Sequence, residues 1–252
     1  MKHLILFFVA ILLFSCQKQT ATPADYGNPP AQGFNESRSD DKAIALADDV
    51  METMGGRRAW DNTRYIKWTF FGNRTHTWDK QGQRNRIDIP KDSLTIVHNL
   101  TDQTGHIYKN GAEITDTSQL PLSIADAHAM WINDSYWLVM PFKLKDSGVT
   151  LTYTGRDTTV DGRNAEVVSL VFDNVGVTPQ NKYLVYVDDA SGLVSQWDYY
   201  PNATDSLPAF QSPWPEYKQY GEILLSGGAI RGMRMTDIEV MDDVPANTFL
   251  DL

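Results

Sequence analysis

One short pattern constrains this chain more than any other. Asp-x-x-Gly stands between strand-like runs three times, as Asp79-Lys80-Gln81-Gly82, Asp102-Gln103-Thr104-Gly105 and Asp189-Ala190-Ser191-Gly192. Asp at the first position caps a type I turn with its carboxylate, and Gly at the fourth supplies the positive φ that returns the chain as a hairpin. Asn110-Gly111 and Asp161-Gly162 add two more tight-turn signals. Strands joined this way are sequence neighbours and antiparallel. The expected pairs are Arg74–Asp79 with Gln83–Ile89, Leu94–Leu100 with His106–Lys109, and Tyr183–Val187 with Leu193–Tyr199. No long βαβ spacing occurs, and no Gly-rich phosphate loop follows a strand.

Between the turns, apolar periodicity assigns the rest. Tyr65–Phe70 places Ile66, Trp68 and Phe70 on one face and Tyr65, Lys67 and Thr69 on the other, as a half-buried strand requires. Asp41–Met54 repeats apolar residues at helical spacing, and Gly55-Gly56 ends it. A short turn follows, with Trp60 as an anchor onto the core. Ser123–Leu138 is the second helix, with Ile124, Ala127, Trp131 and Leu138 near one face and Pro141 as its stop. Strands resume at Val149–Thr154, Ala165–Phe172, Tyr217–Leu225 and Ile230–Val240, and Pro201–Pro215 reads as a long loop. The expected fold class is mainly β (α+β): an antiparallel meander of about ten strands, an N-terminal helix and one inserted helix.

The N-terminus has a different character. Lys2 precedes an apolar run of 11 residues, Leu4 to Phe14. That is too short for a bilayer span of about 20 residues but suits the apolar core of a secretory signal. The run ends in Leu13-Phe14-Ser15-Cys16, which resembles the bacterial lipobox. The resemblance implies a signal peptide over 1–15 and a lipid on Cys16, with an ordinary signal peptide or an uncleaved anchor as the alternatives. Polar and Pro/Gly-rich composition around Asn28-Pro29-Pro30-Ala31-Gln32-Gly33 makes 16–40 a flexible tether. Residues 41–252 then form a single domain. Cys16 is the one cysteine, so the domain is expected to rest on its core without a disulfide. A formal charge of −10 argues against nucleic acid as partner, and against electrostatic attraction to anionic lipid heads.

The order of elements resembles a family. A helix ending in Met54-Gly55-Gly56 is followed by Ala59-Trp60 and the strand Tyr65–Phe70. Later come Val160-Asp161-Gly162-Arg163-Asn164-Ala165-Glu166-Val167-Val168 and Tyr183-Leu184-Val185-Tyr186-Val187-Asp188-Asp189-Ala190-Ser191-Gly192-Leu193-Val194. This is similar to a group of Bacteroidetes-type envelope lipoproteins related to the lipoprotein-localisation carriers (LolA/LolB-like), over about residues 41 to 245. The resemblance implies an open half-barrel whose helices plug its mouth and whose apolar cavity holds acyl chains. It also implies a cavity arginine, for which Arg84 and Arg86 are the candidates. By analogy with lipoprotein sorting, Gln17 after Cys16 points to the outer membrane, facing the periplasm.

Such a carrier needs apolar area facing a cavity, where each buried methylene of a ligand contributes about 0.8 kcal/mol. Strand alternation and the second helix nominate Ile66, Trp68, Phe70, Trp131, Leu138, Leu193, Trp197 and Tyr199 as cavity lining, with plain core packing as the other reading. No catalytic residue, cofactor or metal is assigned. His76, His98, His106 and His128 form no close metal-ligand motif, although His98 and His106 flank one turn and could approach each other across it. The expected function is that of a lipid-anchored protein that binds or carries a hydrophobic ligand: an acyl chain, lipid or lipoprotein. The alternative is a non-catalytic interaction module of an envelope assembly, with Phe210 and Trp214 as exposed anchors in the Pro201–Pro215 loop. A hydrolase or metalloenzyme is a minor third.

Overall fold

Three α-helices and fourteen strands, with short 3-10 turns among them, make up the regular structure of the described residues. A computed structural model describes residues 27–116, 121–173, 175–228, 230 and 232–249. Cys16 and the expected signal peptide lie outside the described residues. In chain order the elements are α1 Asp41–Thr53, α2 Gly56–Asn62, β1 Tyr65–Phe70, β2 Arg74–Asp79, β3 Arg84–Ile89, β4 Leu94–Asn99, β5 Gly105–Lys109 and β6 Ala112–Glu113. They continue with α3 Ile124–Val139, β7 Val149–Thr158, β8 Asn164–Phe172, β9 Lys182–Asp188, β10 Val194–Tyr200, β11 Phe210–Pro213, β12 Lys218–Tyr220, β13 Ile223–Leu225 and β14 Thr236–Met241.

The strands form a seven-stranded sheet in the order β14-β1-β2-β3-β4-β5-β6, a five-stranded sheet β11-β10-β9-β8-β7, and the ribbon β12-β13. All pairings are antiparallel, and the three expected hairpins are β2–β3, β4–β5 and β9–β10. Neither large sheet closes on itself. Their inner faces share one core with the helices: Ile66, Trp68 and Trp78 from the first sheet, Leu151, Leu170 and Trp197 from the second, Val50 from α1 and Leu138 from α3. The result is an open α+β half-barrel.

The hairpins form, but each of the three turns departs from expectation in one respect. Only Gly192 has positive φ (68°); in the other two turns the left-handed residues are Gln83 (51°) and Gln103 (55°). Gly82 and Gly105 are required by close approach instead. A Cβ at 82 would lie 2.4 Å from Asp79 Oδ2, and one at 105 would lie 2.4 Å from the Val97 carbonyl oxygen. In the third turn the capping carboxylate is that of Asp188, which accepts from Ser191 N at 2.8 Å.

Other boundaries also shift. Gly55 does end α1, with φ of 114° and the Glu222 carbonyl 2.3 Å from where a Cβ would lie. The chain then enters α2 directly where a turn was expected, and Trp60 within it stacks on Phe142 at 4.4 Å. Residues 27–40, read as part of a tether, are bonded to the body. Ala31 N donates to Lys145 O, Asn35 N to Val149 O and Asp40 N to Leu151 O, each within 3.0 Å. Side chains add to these, with Asn35 Nδ2 donating to Gly148 O and Ser39 Oγ accepting from Leu151 N, and polar composition hid the bonding because such residues look the same in a solvated tether. Tyr217–Leu225 is the hairpin β12–β13 with Gly221 (φ 57°) at its turn, and the last strand starts at Thr236 rather than Ile230. The Pro201–Pro215 segment contains β11, which pairs with β10.

Candidate ligand cleft between α3 and the second sheet

Helix α3 separates two unlike environments. Its start is fixed by a capping box: Asp126 N donates to Ser123 Oγ (3.1 Å), and Ser123 N donates to Asp126 Oδ2 (2.8 Å). From there His128, Trp131 and Asp134 look toward the first sheet, and Ala129, Ile132, Asn133, Tyr136 and Trp137 border a cleft on the side of the second.

The first side is filled. Asp134, fully buried, accepts from Arg74 at 2.5 and 2.8 Å and from His76 Nε2 at 2.7 Å. His76 stacks on Trp68 (4.6 Å, 8°), and its Nδ1 lies 3.2 Å from Asn85 Nδ2. Burial pushes the His76 imidazole down despite Asp134 beside it. Burial alone would raise Asp134, but hydrogen bonds from His76 and Arg74 outweigh it and hold the carboxyl below its usual range. The arrangement is therefore a carboxylate held by one arginine cation and one neutral imidazole. Trp131 packs edge-on to Trp78 at 5.5 Å, and His128 lies 5.9 Å from His98. Burial lowers His98 to about 4, with His128 and His76 adding to the shift.

The second side is open. A cleft of about 360 Å³ lies between α3, the inner face of the second sheet and the segment around Val175–Thr178. Ligand sites of this kind run from about 300 to 1,000 Å³ and are mostly apolar. Its aromatic wall is continuous: Tyr136 lies 6.2 Å from Phe172, 5.7 Å from Tyr183 and 5.9 Å from Trp197, and Tyr183 stacks on Trp197 at 4.8 Å. Sheet register explains the wall, since Leu170 faces Tyr183 and Tyr183 faces Tyr199 on adjacent strands. The charged lining residues, Lys143 and Asp146, pair with each other at 2.6 Å. Asn181 donates to Thr178 Oγ1 and accepts from Tyr199. The Tyr136 hydroxyl and the Trp197 indole N–H are buried without a hydrogen-bond partner.

Of the eight residues nominated from sequence, only Trp197 lines this cleft. Ile66, Trp68, Phe70 and Leu138 are packed into the core, Trp131 and Leu193 are half-buried against it, and Tyr199 is half-buried between Tyr183 and Phe210. For Ile66, Trp68 and Phe70 the physical reason is α3, whose His128, Trp131 and Asp134 occupy the space over the first sheet. Arg84 and Arg86 sit on that sheet's outer face, Arg84 over Phe249 and Arg86 donating to Thr248 O. The arginine on the inner face is Arg74. His98 and His106 do not meet, because adjacent register positions (His98 with Gly105, Val97 with His106) put them on opposite faces. Trp214 is 1% exposed and Phe210 stacks on Trp137, so neither is a free anchor. Tyr136, Phe172 and Tyr183 were missed. Period-two alternation around Trp197 and its hairpin partner carried the signal for Tyr183.

No protein-family model matches the chain, and no curated protein matches it. Among solved structures it is similar to a DUF1329 family protein from Desulfovibrio piger, with a TM-score of 0.44 and 14% identity over 83% of this chain and 98% of that one. It is also similar to a protein described as an outer membrane lipoprotein-sorting protein domain from Vibrio parahaemolyticus, with a TM-score of 0.43 and 11% identity over 83% of this chain and 96% of that one. No helix among the described residues is long and apolar enough to cross a membrane. Among the described residues no group of three or more His, Cys, Asp or Glu side chains is placed to hold a metal ion.

Proposed function

We propose that this protein is a lipid-anchored envelope protein that binds or carries a hydrophobic ligand in the cleft between α3 and the second sheet, without catalysing a reaction on it. The cleft carries this reading: about 360 Å³ of aromatic-lined space whose charged residues neutralise each other. An acyl chain entering it gains about 0.8 kcal/mol for each methylene removed from water. The lipobox-like Cys16 supplies the proposed anchor, and Gln17 after it supports the outer membrane as its location.

Native mass spectrometry of the full chain purified from membranes tests the ligand. The expected result is co-purified lipid that is lost in Ala129→Trp, where the new side chain fills the cleft from α3. Identical lipid-free spectra for both proteins would overturn the reading. Metabolic labelling with a radioactive fatty acid tests the anchor, with incorporation expected in the parent and none in Cys16→Ala. Equal label in both would remove Cys16 as the site.

A further inference from the structure

Tyr136 and Trp197 give the cleft a polar preference that its apolar walls do not. Both residues line it, their rings lie 5.9 Å apart, and the Tyr136 hydroxyl and Trp197 indole N–H are buried with no partner in the protein. Indole N–H is a donor only, and a phenol donates readily. Neither atom is open to a water-sized molecule, so a guest meets them as the lining side chains shift, and its acceptor oxygen then removes the cost of about 1–3 kcal/mol that an unpaired buried donor carries. A carbonyl oxygen has two lone pairs and can take both donors.

Charge narrows the guest further. Lys143 and Asp146 are paired at 2.6 Å, which leaves no unmatched cation among the lining side chains to hold a carboxylate. Moving an unpaired ion into such a site is costly. An uncharged head is favoured on that ground alone.

We infer that the cleft selects a long-chain acyl ester, its carbonyl oxygen accepting from Tyr136 and Trp197 while its chain lies against Phe172 and Tyr183. This rests on the proposed function, since it specifies the ligand of the same cleft. Tyr136 is then a specificity-determining residue.

The test is displacement of the fluorescent probe N-phenyl-1-naphthylamine from the full chain by three competitors: methyl dodecanoate, tetradecane of matched length, and dodecanoate anion. The ester is expected to compete about tenfold more strongly than the alkane, and the anion more weakly than the ester. Tyr136→Phe, confirmed folded by its thermal melt, is expected to lose about threefold to tenfold for the ester, as one net hydrogen bond predicts, with the alkane unchanged. Trp197→Phe, which keeps an aromatic ring, is expected to act in the same direction. Equal competition by ester and alkane in the parent would overturn the inference, as would an equal loss for both in Tyr136→Phe. Competition by the anion at or above the ester would overturn the neutral head. A parent protein that binds neither probe nor competitor would instead sink the cleft reading itself.

Discussion

Asp134 on α3 accepts a 2.7 Å hydrogen bond from His76 on β2, and the preceding residue, Asn133, borders the cleft on the opposite side of the helix. One backbone step thus joins the clamp that holds α3 to the first sheet and the wall it presents to a ligand. Asn133 reinforces the link by donating to Asp134 Oδ1 at 2.9 Å.

Removing the carboxylate should loosen this clamp. Asp134→Ala leaves Arg74 without its partner and His76 with a buried donor, and breaking a buried pair costs about 3–5 kcal/mol. Arg74 is partly solvated, with 22% of its side chain exposed, so the lower end of that range is expected. Urea denaturation of parent and variant checks it, and a loss under about 1 kcal/mol would mean that the clamp is not what seats α3.

Acid should destabilise the fold before carboxylate titration begins. His98 has a folded value of about 4 against an ordinary 6.5, so between those values the unfolded chain binds a proton that the folded chain refuses. Its contribution is therefore complete above pH 6.5 and falls as pH drops toward 4, by about 3 kcal/mol in total. His76 and His128 are lowered by burial in the same sense. Asp134, also lowered, loses its contribution only at still lower pH, as its carboxyl takes up a proton below the usual 3.8. Denaturation midpoints from pH 7 to 4 should fall steeply in the parent and less so in His98→Gln. Parallel slopes would refute the assignment.

Gly105 and Gly111 separate the two reasons for glycine in a hairpin. At Gly105 an added Cβ meets the Val97 carbonyl at 2.4 Å and His98 Cα at 2.8 Å, both backbone atoms. At Gly111 the space is open and only a φ of 77° opposes the change. Alanine at 111 should cost about 1 kcal/mol. Alanine at 105 should cost about 1–3 kcal/mol, because the strands must move apart. Thermal melts of the two variants rank them, and the reverse order would show that β4 and β5 yield easily.

Ser123→Ala should release the first turn of α3. Loss of an N-cap side chain costs about 1 kcal/mol, and hydrogen exchange at Asp126 and Ala127 amides should accelerate while the β9–β10 hairpin stays protected. Unchanged exchange would mean that packing alone holds this end.

Much of both sheets was legible in the sequence because strand alternation and turn chemistry are local properties. The strand at Tyr65–Phe70 and all three Asp-x-x-Gly hairpins follow from residue types within a few positions. The cleft was less legible, for a reason seen at Trp68 and Trp197. Both are inward aromatics on alternating strands, and nothing local distinguishes them. What differs is the face of α3 above each one, since Trp131 and Asp134 fill the space over the first sheet while Ala129, Ile132 and Asn133 leave a cleft beside Tyr136 on the side of the second. That depends on the helix's rotation, which His76 and Arg74 set from a strand some 60 positions away. The bonding of residues 27–40 was hidden for a related reason, because its main partners lie at 145–151, far along the chain, and a polar side chain such as Asn35 or Ser39 reads the same whether it bonds water or a distant strand.

The burial of His98 in the native state makes guest and proton thermodynamically linked, because both act on the same folding equilibrium. A guest bound only by the native state adds RT ln(1 + [L]/Kd) to its stability, about 2.7 kcal/mol at a hundredfold excess over Kd. That is comparable to what His98 withdraws on acidification. An occupied protein should therefore withstand acid better than an empty one, and by reciprocity acidification weakens apparent guest affinity wherever it shrinks the native population. On the proposed reading, a change in the surrounding pH would thus act on guest retention through a histidine that does not line the cleft.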